Sequence, residues 1–415
     1  MSMSLSSILI LSLFSIVMIN NINNDNKQKT MMAIPSAYAQ KTQGSSSGGG
    51  TNTNTTNIKA TPYAGVNMRG YYTATVQQRT VGGHIPANYY EDSFRTISQA
   101  GMNLVRYLVF WEAYEKNPVQ FITEVNNVTK FADKWGIKVI YTNDQYRTSS
   151  WLDPDKGYGF PSLLFENNPS YKKGGGGGPT DATAKKWWTD WFNRSVKAAN
   201  GTDGWTLQAN FLKKIVNTVN RHPSTLGYEI LNEPRVYSSD QWVKIGAYNS
   251  FLINALRKVT QKIIVFDRQA SPDLGGPIGI TPQNMAKMAP TNKNNVIFKA
   301  TLFGVPGVDT DATERFNAYV RTAQIARVQI CFCEFNIKSY SGESPGGALD
   351  FNQQRANLFI QNFKKANVWG WALWIWDFKP RPSNPNYNLV SFKGSTMQTT
   401  NNFDYVKTAI ANYNR

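Results

Sequence analysis

The chain has 415 residues, 41% of them hydrophobic, which is enough for one large domain with a sizeable core. Its formal charge is +17, but the Lys and Arg residues are scattered, and no nucleic-acid-binding motif accompanies them. We therefore expect no nucleic-acid partner. The two histidines and two cysteines of the sequence do not stand at metal-ligand spacing. We expect no metal site and no other cofactor.

The two cysteines, Cys331 and Cys333, are separated by one residue. Side chains two positions apart on a strand point the same way, and that geometry suits an ordinary disulfide poorly. The spacing predicts a pair of buried free thiols, and the fold is not expected to be a disulfide scaffold.

The N-terminal region has the pattern of a targeting segment. Residues 5–19 are apolar and uncharged, but they are fewer than the ~20 residues that a membrane span needs. A small-x-small site, Ala37-Tyr38-Ala39, follows. Residues 1–39 are therefore predicted to be an export signal of a secreted, extracellular protein. An uncleaved N-terminal anchor is the alternative, because no basic residue precedes the apolar stretch.

Residues 40–59 are rich in Ser, Thr, Asn and Gly, and this composition predicts a flexible linker. From residue 60 onward, short apolar runs alternate with helical patterns. The predicted strands are Tyr63–Asn67, Asn103–Leu108, Ile137–Thr142, Gly227–Leu231, Ile263–Asp267, Val296–Ala300, Val328–Cys333 and Trp369–Trp374. The predicted helices are Tyr89–Ala100, Ile122–Trp135, Leu207–Asn220, Tyr248–Gln261, Asp311–Ala326, Phe351–Ala366 and Phe403–Asn412.

This alternation implies an α/β fold with a parallel sheet. The strands are nearly continuous apolar runs, which is typical of strands buried on both faces. Doubly wound sheets and closed barrels both fit, but the number of strand–helix units favours a (β/α)8 TIM barrel. No Gly-rich phosphate loop follows the first strand, which weakens the nucleotide-binding alternative. We predict one barrel domain over residues 60–415, acting as a monomer, with an insertion from Asp144 to Trp205 above its catalytic face.

Chemistry in such a barrel lies at the carboxyl ends of the strands. The fourth predicted strand ends in Asn232 and Glu233, followed by Pro234, and the seventh is followed by Glu334. Strands four and seven face each other across a barrel. Two carboxyl groups over one mouth are what glycoside hydrolysis requires, because one donates a proton and the other attacks carbon or activates water.

Several motifs resemble those of the family-five glycoside hydrolases, the cellulase family within the clan of retaining (β/α)8 glycosidases. The similar segments are Asn232-Glu233-Pro234, the tryptophan-rich Trp369–Trp376, Arg106 on the second strand, and Gly65-Val66-Asn67 with Arg69-Gly70. They occur in the family's order over about residues 60–380.

The resemblance implies roles for individual residues. Glu233 would be the acid/base and Glu334 the nucleophile of a double displacement. Asn232 would bind the sugar 2-hydroxyl, Arg106 would keep Glu334 ionised, and Trp374 would form the floor of the subsite for the cleaved sugar. Two positions depart from the family pattern. The third strand ends Asn143-Asp144-Gln145 instead of in a histidine, and Thr301-Leu302-Phe303 replaces His-x-Tyr on the sixth.

Other side chains near strand ends admit two interpretations. Trp111, Trp151 and Trp376 are predicted to line a sugar-binding cleft, with core packing as the alternative. Asp267 and Asp377 end strands, and each either contacts sugar hydroxyls or has a structural role within the protein.

Glu229 shares strand parity with Glu233, so it is predicted to lie inside the barrel below the site. A buried carboxylate needs a partner, which favours an ion pair with Arg69 or Arg106 over a catalytic role.

These inferences predict a secreted glycosidase that cleaves β-glycosidic bonds of a polysaccharide or oligosaccharide, with a β-1,4-glucan or β-mannan as the leading substrate. An exo-acting β-glycosidase or transglycosylase is one alternative. A catalytically silent carbohydrate-binding barrel is another, because the family's histidines and tyrosine are missing.

Overall fold

The computed structural model describes residues 63–69, 88–270, 274–338, 351–377, 387–393 and 395–413. They belong to one unit, Lys59–Arg415. The predicted export signal and linker lie outside the described residues. Within the described ranges, no helix combines the length and the apolar character needed to cross a bilayer.

Eight parallel strands form a closed barrel in which each strand pairs with the next along the chain and β8 pairs with β1. The strands are β1 (Tyr63–Arg69), β2 (Leu104–Val109), β3 (Lys138–Asn143), β4 (Thr225–Glu229), β5 (Ile263–Asp267), β6 (Val296–Phe303), β7 (Gln329–Asn336) and β8 (Gly370–Leu373). The predicted (β/α)8 barrel is confirmed.

Helices surround the barrel. They are α1 (Tyr89–Gln99), α2 (Trp111–Lys116), α3 (Pro118–Trp135), α4 (Ala182–Phe192), α5 (Gly204–Val219), α6 (Gln241–Arg257), α7 (Pro282–Ala286), α8 (Thr310–Ala326), α9 (Gln353–Lys365) and α10 (Asn401–Tyr413). The insertion after β3 contributes α4 and a short 3-10 helix, Ser162–Leu164. After β8, the strands β9 (Val390–Lys393) and β10 (Thr396–Thr399) form an antiparallel pair.

The helix α5 illustrates why these segments are helical and where they pack. Its first turn is capped by Asp203, whose carboxylate accepts a hydrogen bond from the main-chain nitrogen of Thr206 at 3.2 Å. Leu212, Ile215 and Val219 are buried along one stripe, at the spacing of a helix face. The capped, amphipathic helix therefore covers the outside of the barrel.

The barrel interior changes from apolar to charged along the strands. Its lower layer is an apolar cluster that includes Leu104, Ile140, Val265 and Ile297. Side chains two residues further along a strand face the same way. The buried polar residues at those positions are Arg106, Thr142, Asp267 and Lys299. The charged layer therefore lies above the apolar one, toward the carboxyl ends of the strands.

Cys331 and Cys333 are joined in a disulfide, so the prediction of free thiols is wrong. Both cysteines lie in the apolar interior layer, so the prediction that they are buried is confirmed. Their Cα atoms are 5.2 Å apart, whereas a fully extended strand spaces residues i and i+2 by ~6.6 Å. A register irregularity between Phe332 and Phe335 interrupts the strand here, and the sequence pattern did not reveal it.

Glu112, on α2, connects the end of β2 to the insertion. Its Oε2 accepts a hydrogen bond from Ser150 Oγ at 2.9 Å, and the side chain is buried. Burial raises the pKa of Glu112 to about 7, although the hydrogen bonds from Ser150 oppose the shift. The folded state therefore holds this proton more tightly than the unfolded chain does. The free energy of unfolding falls as the pH rises from the ordinary glutamate range through about 7.

Glu112→Gln keeps a hydrogen-bond acceptor for Ser150 and removes the buried charge. We expect the free energy of unfolding at pH 8 to rise by on the order of 1–3 kcal/mol, with little change at pH 5, where the folded protein already holds the proton. Urea unfolding at the two pH values measures this. The matched variant Glu314→Gln alters an exposed residue of α8 and should change neither value. A Glu112→Gln protein less stable than wild type at pH 8 would contradict the account.

Candidate active site

One extra residue in β7 decides where Glu334 points. Lys299 and Thr301 of β6 are matched by Cys331 and Glu334 of β7, so two steps on one strand correspond to three on the other. A bulge of this kind turns the following side chains to the other face of the sheet. Glu334 therefore joins the barrel interior together with Cys333, although neighbouring residues of a regular strand face opposite ways.

The guanidinium group of Arg106 occupies the centre of the charged layer and is fully buried. It donates to Glu229 Oε2 and Oε1 at 2.6 Å each, to Asn67 Oδ1 at 2.8 Å, to Asn232 Oδ1 at 2.9 Å and to Glu334 Oε2 at 3.2 Å. Glu229 is thus the buried ion-pair partner of Arg106, one of the two arginines predicted for it.

Lys299, on β6, brings a second buried cation to Glu334. Its Nζ lies 2.9 Å from Glu334 Oε2 and 2.8 Å from Asp267 Oδ2, and the side chain has no exposed surface. Sequence reasoning missed Lys299, because a lysine within an apolar run gave no sign that it faced the interior. Strand parity puts Lys299 on the same face as Ile297, but only the structure shows that Ile297 faces the interior.

Glu233 lies in the loop after β4, in a strained backbone conformation with φ of 44°. Its main-chain nitrogen donates to Asp267 Oδ2 at 2.7 Å. Its Oε1 accepts a hydrogen bond from Arg268 Nη2 at 2.8 Å. The Glu233 side chain retains 21% exposure, so its carboxyl group is held from one side and open from another.

The two predicted catalytic residues are linked by hydrogen bonds, Glu334 through its carboxyl group and Glu233 through its main-chain nitrogen. Asp267 Oδ2 accepts from both the Glu233 nitrogen and Lys299 Nζ, and Lys299 Nζ also donates to Glu334 Oε2. Asp267 was predicted to contact sugar hydroxyls or to serve the structure. Its position, 2% exposed between the two glutamates, supports the structural interpretation.

The charges around Glu334 favour its ionised form. Burial opposes ionisation, but Lys299 and Arg106 together hold the pKa of Glu334 below its ordinary value. Burial raises the pKa of Asp144, just after β3, to about 7, although Arg106 and Arg69 attract its charge. Burial likewise raises the pKa of Asp267 above its ordinary range despite the nearby Lys299. Of these three carboxyl groups, Glu334 is the one whose ionised form the buried cations favour.

Asn232 is oriented by the same two cations. Its Oδ1 accepts hydrogen bonds from Arg106 Nη2 and Lys299 Nζ, each at 2.9 Å. Because cations donate and cannot accept, this fixes which end of the amide is oxygen. Its Nδ2 donates a long hydrogen bond, at 3.4 Å, to the carbonyl oxygen of Gln145.

Gln145 stands next to the position where the family usually shows a histidine. Its Nε2 donates to the carbonyl oxygens of Asn232 at 3.1 Å and of Glu233 at 3.0 Å. Gln145 therefore fixes the main chain that carries Glu233.

Two of the predicted cleft tryptophans are buried instead. Trp111 is 1% exposed and stacks on Phe211, and Trp376 has no exposed surface. Trp111 packs against Phe211 of α5 and Trp376 against Phe403 of α10, so neither offers a ring face to a sugar. Trp374 is partly buried and follows the end of β8. Trp151, in the insertion, is also partly buried and donates through its indole nitrogen to the Tyr171 carbonyl oxygen at 2.8 Å.

Asp377 follows Trp376 and is buried. Its Oδ1 accepts a hydrogen bond from the Tyr89 hydroxyl at 2.7 Å, which connects the end of β8 to α1. Of its two interpretations, this contact favours the structural one. Among the described residues, no group of three or more His, Cys, Asp or Glu is arranged to hold a metal ion.

Known proteins resemble this chain in sequence pattern and in fold. The family model described as cellulase (glycosyl hydrolase family 5) matches residues 59–380. A comparison with curated protein sequences finds no match.

Solved structures share the fold at low sequence identity. An endogalactoceramidase is 15% identical, with a TM-score of 0.59, and the match covers 76% of this chain and 71% of that one. Endo-glycoceramidase II from Rhodococcus sp., captured as a lactosyl-enzyme intermediate, is 18% identical, with a TM-score of 0.57 and coverage of 83% and 78%. An endoglucanase from Pseudomonas stutzeri is 16% identical, with a TM-score of 0.55 and coverage of 85% and 94%.

Glu229→Ala removes the carboxylate that holds Arg106 and leaves a buried guanidinium with part of its charge uncompensated. We expect the free energy of unfolding to fall by about 3–5 kcal/mol, measured by urea unfolding. The control Asp240→Ala breaks an exposed pair with Lys244 and should change this energy little. Equal stability of the Glu229→Ala and wild-type proteins would show that the ion pair does not support the charged layer.

Proposed function

This chain belongs to the cellulase family, glycosyl hydrolase family 5, and is a retaining glycoside hydrolase by that membership; we propose that it cleaves β-glycosidic bonds by double displacement. In this proposal Glu334 is the nucleophile and Glu233 is the acid and base. A β-1,4-glucan or β-mannan is the proposed substrate, in keeping with the family's description as cellulase.

The observation that carries the proposal is the hydrogen bonding of Glu334. Lys299 and Arg106 both donate to Oε2, while Oε1 accepts no hydrogen bond from the described residues. The Glu334 side chain is 9% exposed, so it has limited access to solvent. An ionised carboxylate with one held oxygen and one unengaged oxygen is prepared to attack carbon.

In the first displacement, Glu334 Oε1 attacks the anomeric carbon and the glycosidic C–O bond breaks. Its electron pair passes to the leaving oxygen, which takes a proton from Glu233. The Nδ2 group of Asn232 is oriented to donate to the sugar 2-hydroxyl. Attack at the face opposite the leaving group inverts the anomeric centre once.

In the second displacement, water attacks the anomeric carbon of the glycosyl-enzyme and transfers its proton to Glu233. The bond to Glu334 Oε1 breaks, and its electron pair returns to the carboxylate. Arg268 Nη2 donates to Glu233 Oε1 and so fixes the direction of this carboxyl group. The second inversion restores the original configuration.

A catalytically silent sugar-binding barrel fits this site less well. Ligand binding alone does not require two buried cations directed at one oxygen of a carboxyl group. Burying these charges costs free energy, because they lose their contact with water. In a glycoside hydrolase each charged group has a function that offsets this cost.

A substrate screen tests the proposal. Cellulose, β-mannan, xylan, mixed-linkage glucan and a lactosyl lipid would be incubated with the enzyme, and the product sizes read by chromatography. The lipid is included because one structural neighbour was captured as a lactosyl-enzyme. Oligosaccharides as early products indicate endo cleavage, and mono- or disaccharides indicate the exo alternative. Failure to cleave any of these substrates would contradict the proposed function.

We further propose that the protein is secreted through its N-terminal apolar segment, residues 5–19, and meets its saccharide substrate outside the cell. N-terminal sequencing of the exported protein distinguishes cleavage after Ala39 from an uncleaved anchor.

Glu334→Ala removes the nucleophile. We expect hydrolysis of 2,4-dinitrophenyl β-cellobioside to fall by about 10⁴-fold or more, since the group forms the covalent bond. Cellobiose binding, measured by calorimetry, should survive. The control Glu314→Ala removes an exposed glutamate of α8 and should retain full activity. Turnover by Glu334→Ala at the wild-type rate would refute the assignment.

Glu233→Ala removes the acid and base. With the dinitrophenyl substrate, whose leaving group needs no proton, the second displacement should slow by about 10²–10⁴-fold. Azide needs no base to attack, so it should restore turnover and release β-cellobiosyl azide, identified by NMR. Absence of azide rescue in a folded variant, or an α-configured azide product, would argue against the role of Glu233.

A further inference from the structure

The geometry points to Lys299 as a positioning residue whose ammonium group holds Glu334 Oε2 and accelerates the second displacement. This inference rests on the proposed function and deepens it. It concerns a residue that the family pattern, with tyrosine on the sixth strand, does not suggest. At that tyrosine's place the chain has Phe303, which carries no hydroxyl group.

Lys299 is fixed more firmly than a lysine usually is. Besides Glu334 and Asp267, Asn232 Oδ1 lies 2.9 Å and Thr301 Oγ1 lies 3.1 Å from its Nζ, so its three N–H groups have four acceptors within hydrogen-bond distance. These partners come from β7, β5, the loop after β4 and β6 itself. A buried lysine with a single partner could rotate, whereas contacts on several sides hold Nζ at one place beside Glu334.

Both cations contact the same oxygen of Glu334. Lys299 lies 2.9 Å and Arg106 lies 3.2 Å from Oε2. If Oε1 forms the bond to the sugar, Oε2 becomes the carbonyl oxygen of the glycosyl ester. Two cations therefore face that carbonyl oxygen throughout the life of the covalent intermediate.

This arrangement favours departure of the carboxylate. As water attacks the anomeric carbon, the C–Oε1 electron pair moves onto Glu334, and negative charge spreads over both carboxylate oxygens. Lys299 and Arg106 are already in place to stabilise that charge, with no reorganisation needed. The ester itself is neutral, so the two cations interact more strongly with the departing carboxylate than with the intermediate.

A purely structural role would have a different kinetic signature. If Lys299 only compensated the charge of Asp267, its loss would lower the free energy of unfolding and leave the relative rates of the two displacements unchanged. If it stabilises the departing carboxylate, its loss causes the intermediate to accumulate. For a double displacement limited by its second step, kcat and KM then fall together, and kcat/KM reports only the first step.

The test uses Lys299→Met, Lys299→Arg and the control Lys262→Met in the full chain, with 2,4-dinitrophenyl β-cellobioside as the probe. Lys262 precedes β5 at the opposite end of the barrel and donates to the carbonyl oxygens of His222 and Thr225. It is a partly buried lysine far from the charged layer. Thermal unfolding establishes that each variant is folded.

For Lys299→Met we expect kcat to fall by about 100-fold, as when one preorganised donor is removed from a developing negative charge. KM should fall as well, so that kcat/KM falls less than kcat. Stopped-flow measurement should show a burst of dinitrophenolate, and the acid limb of the kcat/KM profile should move to higher pH. Lys299→Arg should recover part of kcat, and Lys262→Met should match wild type.

A folded Lys299→Met protein whose kcat/KM falls as far as kcat, with KM unchanged and no burst, would overturn the inference and leave the proposed function standing. A wild-type enzyme that cleaves neither the probe nor any substrate of the screen would overturn the proposed function, and this inference with it.

Discussion

The site depends on one buried guanidinium group. Arg106 connects the carboxylate of Glu229 below it to the carboxylate of Glu334 above it, and Asn67 and Asn232 accept its remaining hydrogen bonds. Taking such a group out of water is costly unless every donor is satisfied. Here β1, β4, β7 and the loop after β4 each supply an acceptor, so the barrel must close in the correct register for the arginine to be stable. The stability of the closed barrel and the charge of the buried Arg106 therefore depend on each other.

The two layers of the barrel interior have different roles. The apolar lower layer supplies the packing that stabilises the barrel. The upper layer consists of charges whose burial opposes folding unless they are paired. Local departures from regular backbone lie next to these charges: the bulge in β7 directs Glu334 inward, and Glu233 adopts a positive φ. Such strain persists because the surrounding hydrogen bonds fix both residues.

Much of the fold was accessible from the sequence. Buried parallel strands are continuous apolar runs, so their order and number were predictable, and β5 was predicted with its observed bounds, Ile263–Asp267. The rule that chemistry lies at strand ends selected Glu233 and Glu334 as candidates, and the structure has Glu334 within β7 and Glu233 in the loop after β4. The partner of Glu229 was narrowed to two arginines by the need to compensate a buried charge.

The remaining features depend on three-dimensional packing. Lys299 lay within an apolar run, and no periodicity distinguishes an inward lysine from an outward one without the register of β6. The β7 bulge, and with it the disulfide of Cys331 and Cys333, breaks the period on which strand predictions rest. Trp111 and Trp376 are aromatic residues just beyond strand ends, as residues that line a cleft often are. Whether they are exposed depends on the helices, which here cover them.

The most direct test of the account is to trap the covalent intermediate. Wild-type enzyme would be treated with 2,4-dinitrophenyl 2-deoxy-2-fluoro-β-cellobioside, which slows both displacements, and then digested and analysed by mass spectrometry. The account predicts one fluorinated disaccharide per protein, attached to the side chain of Glu334. An active enzyme that remains unlabelled, or one labelled on Glu233 instead, would contradict it.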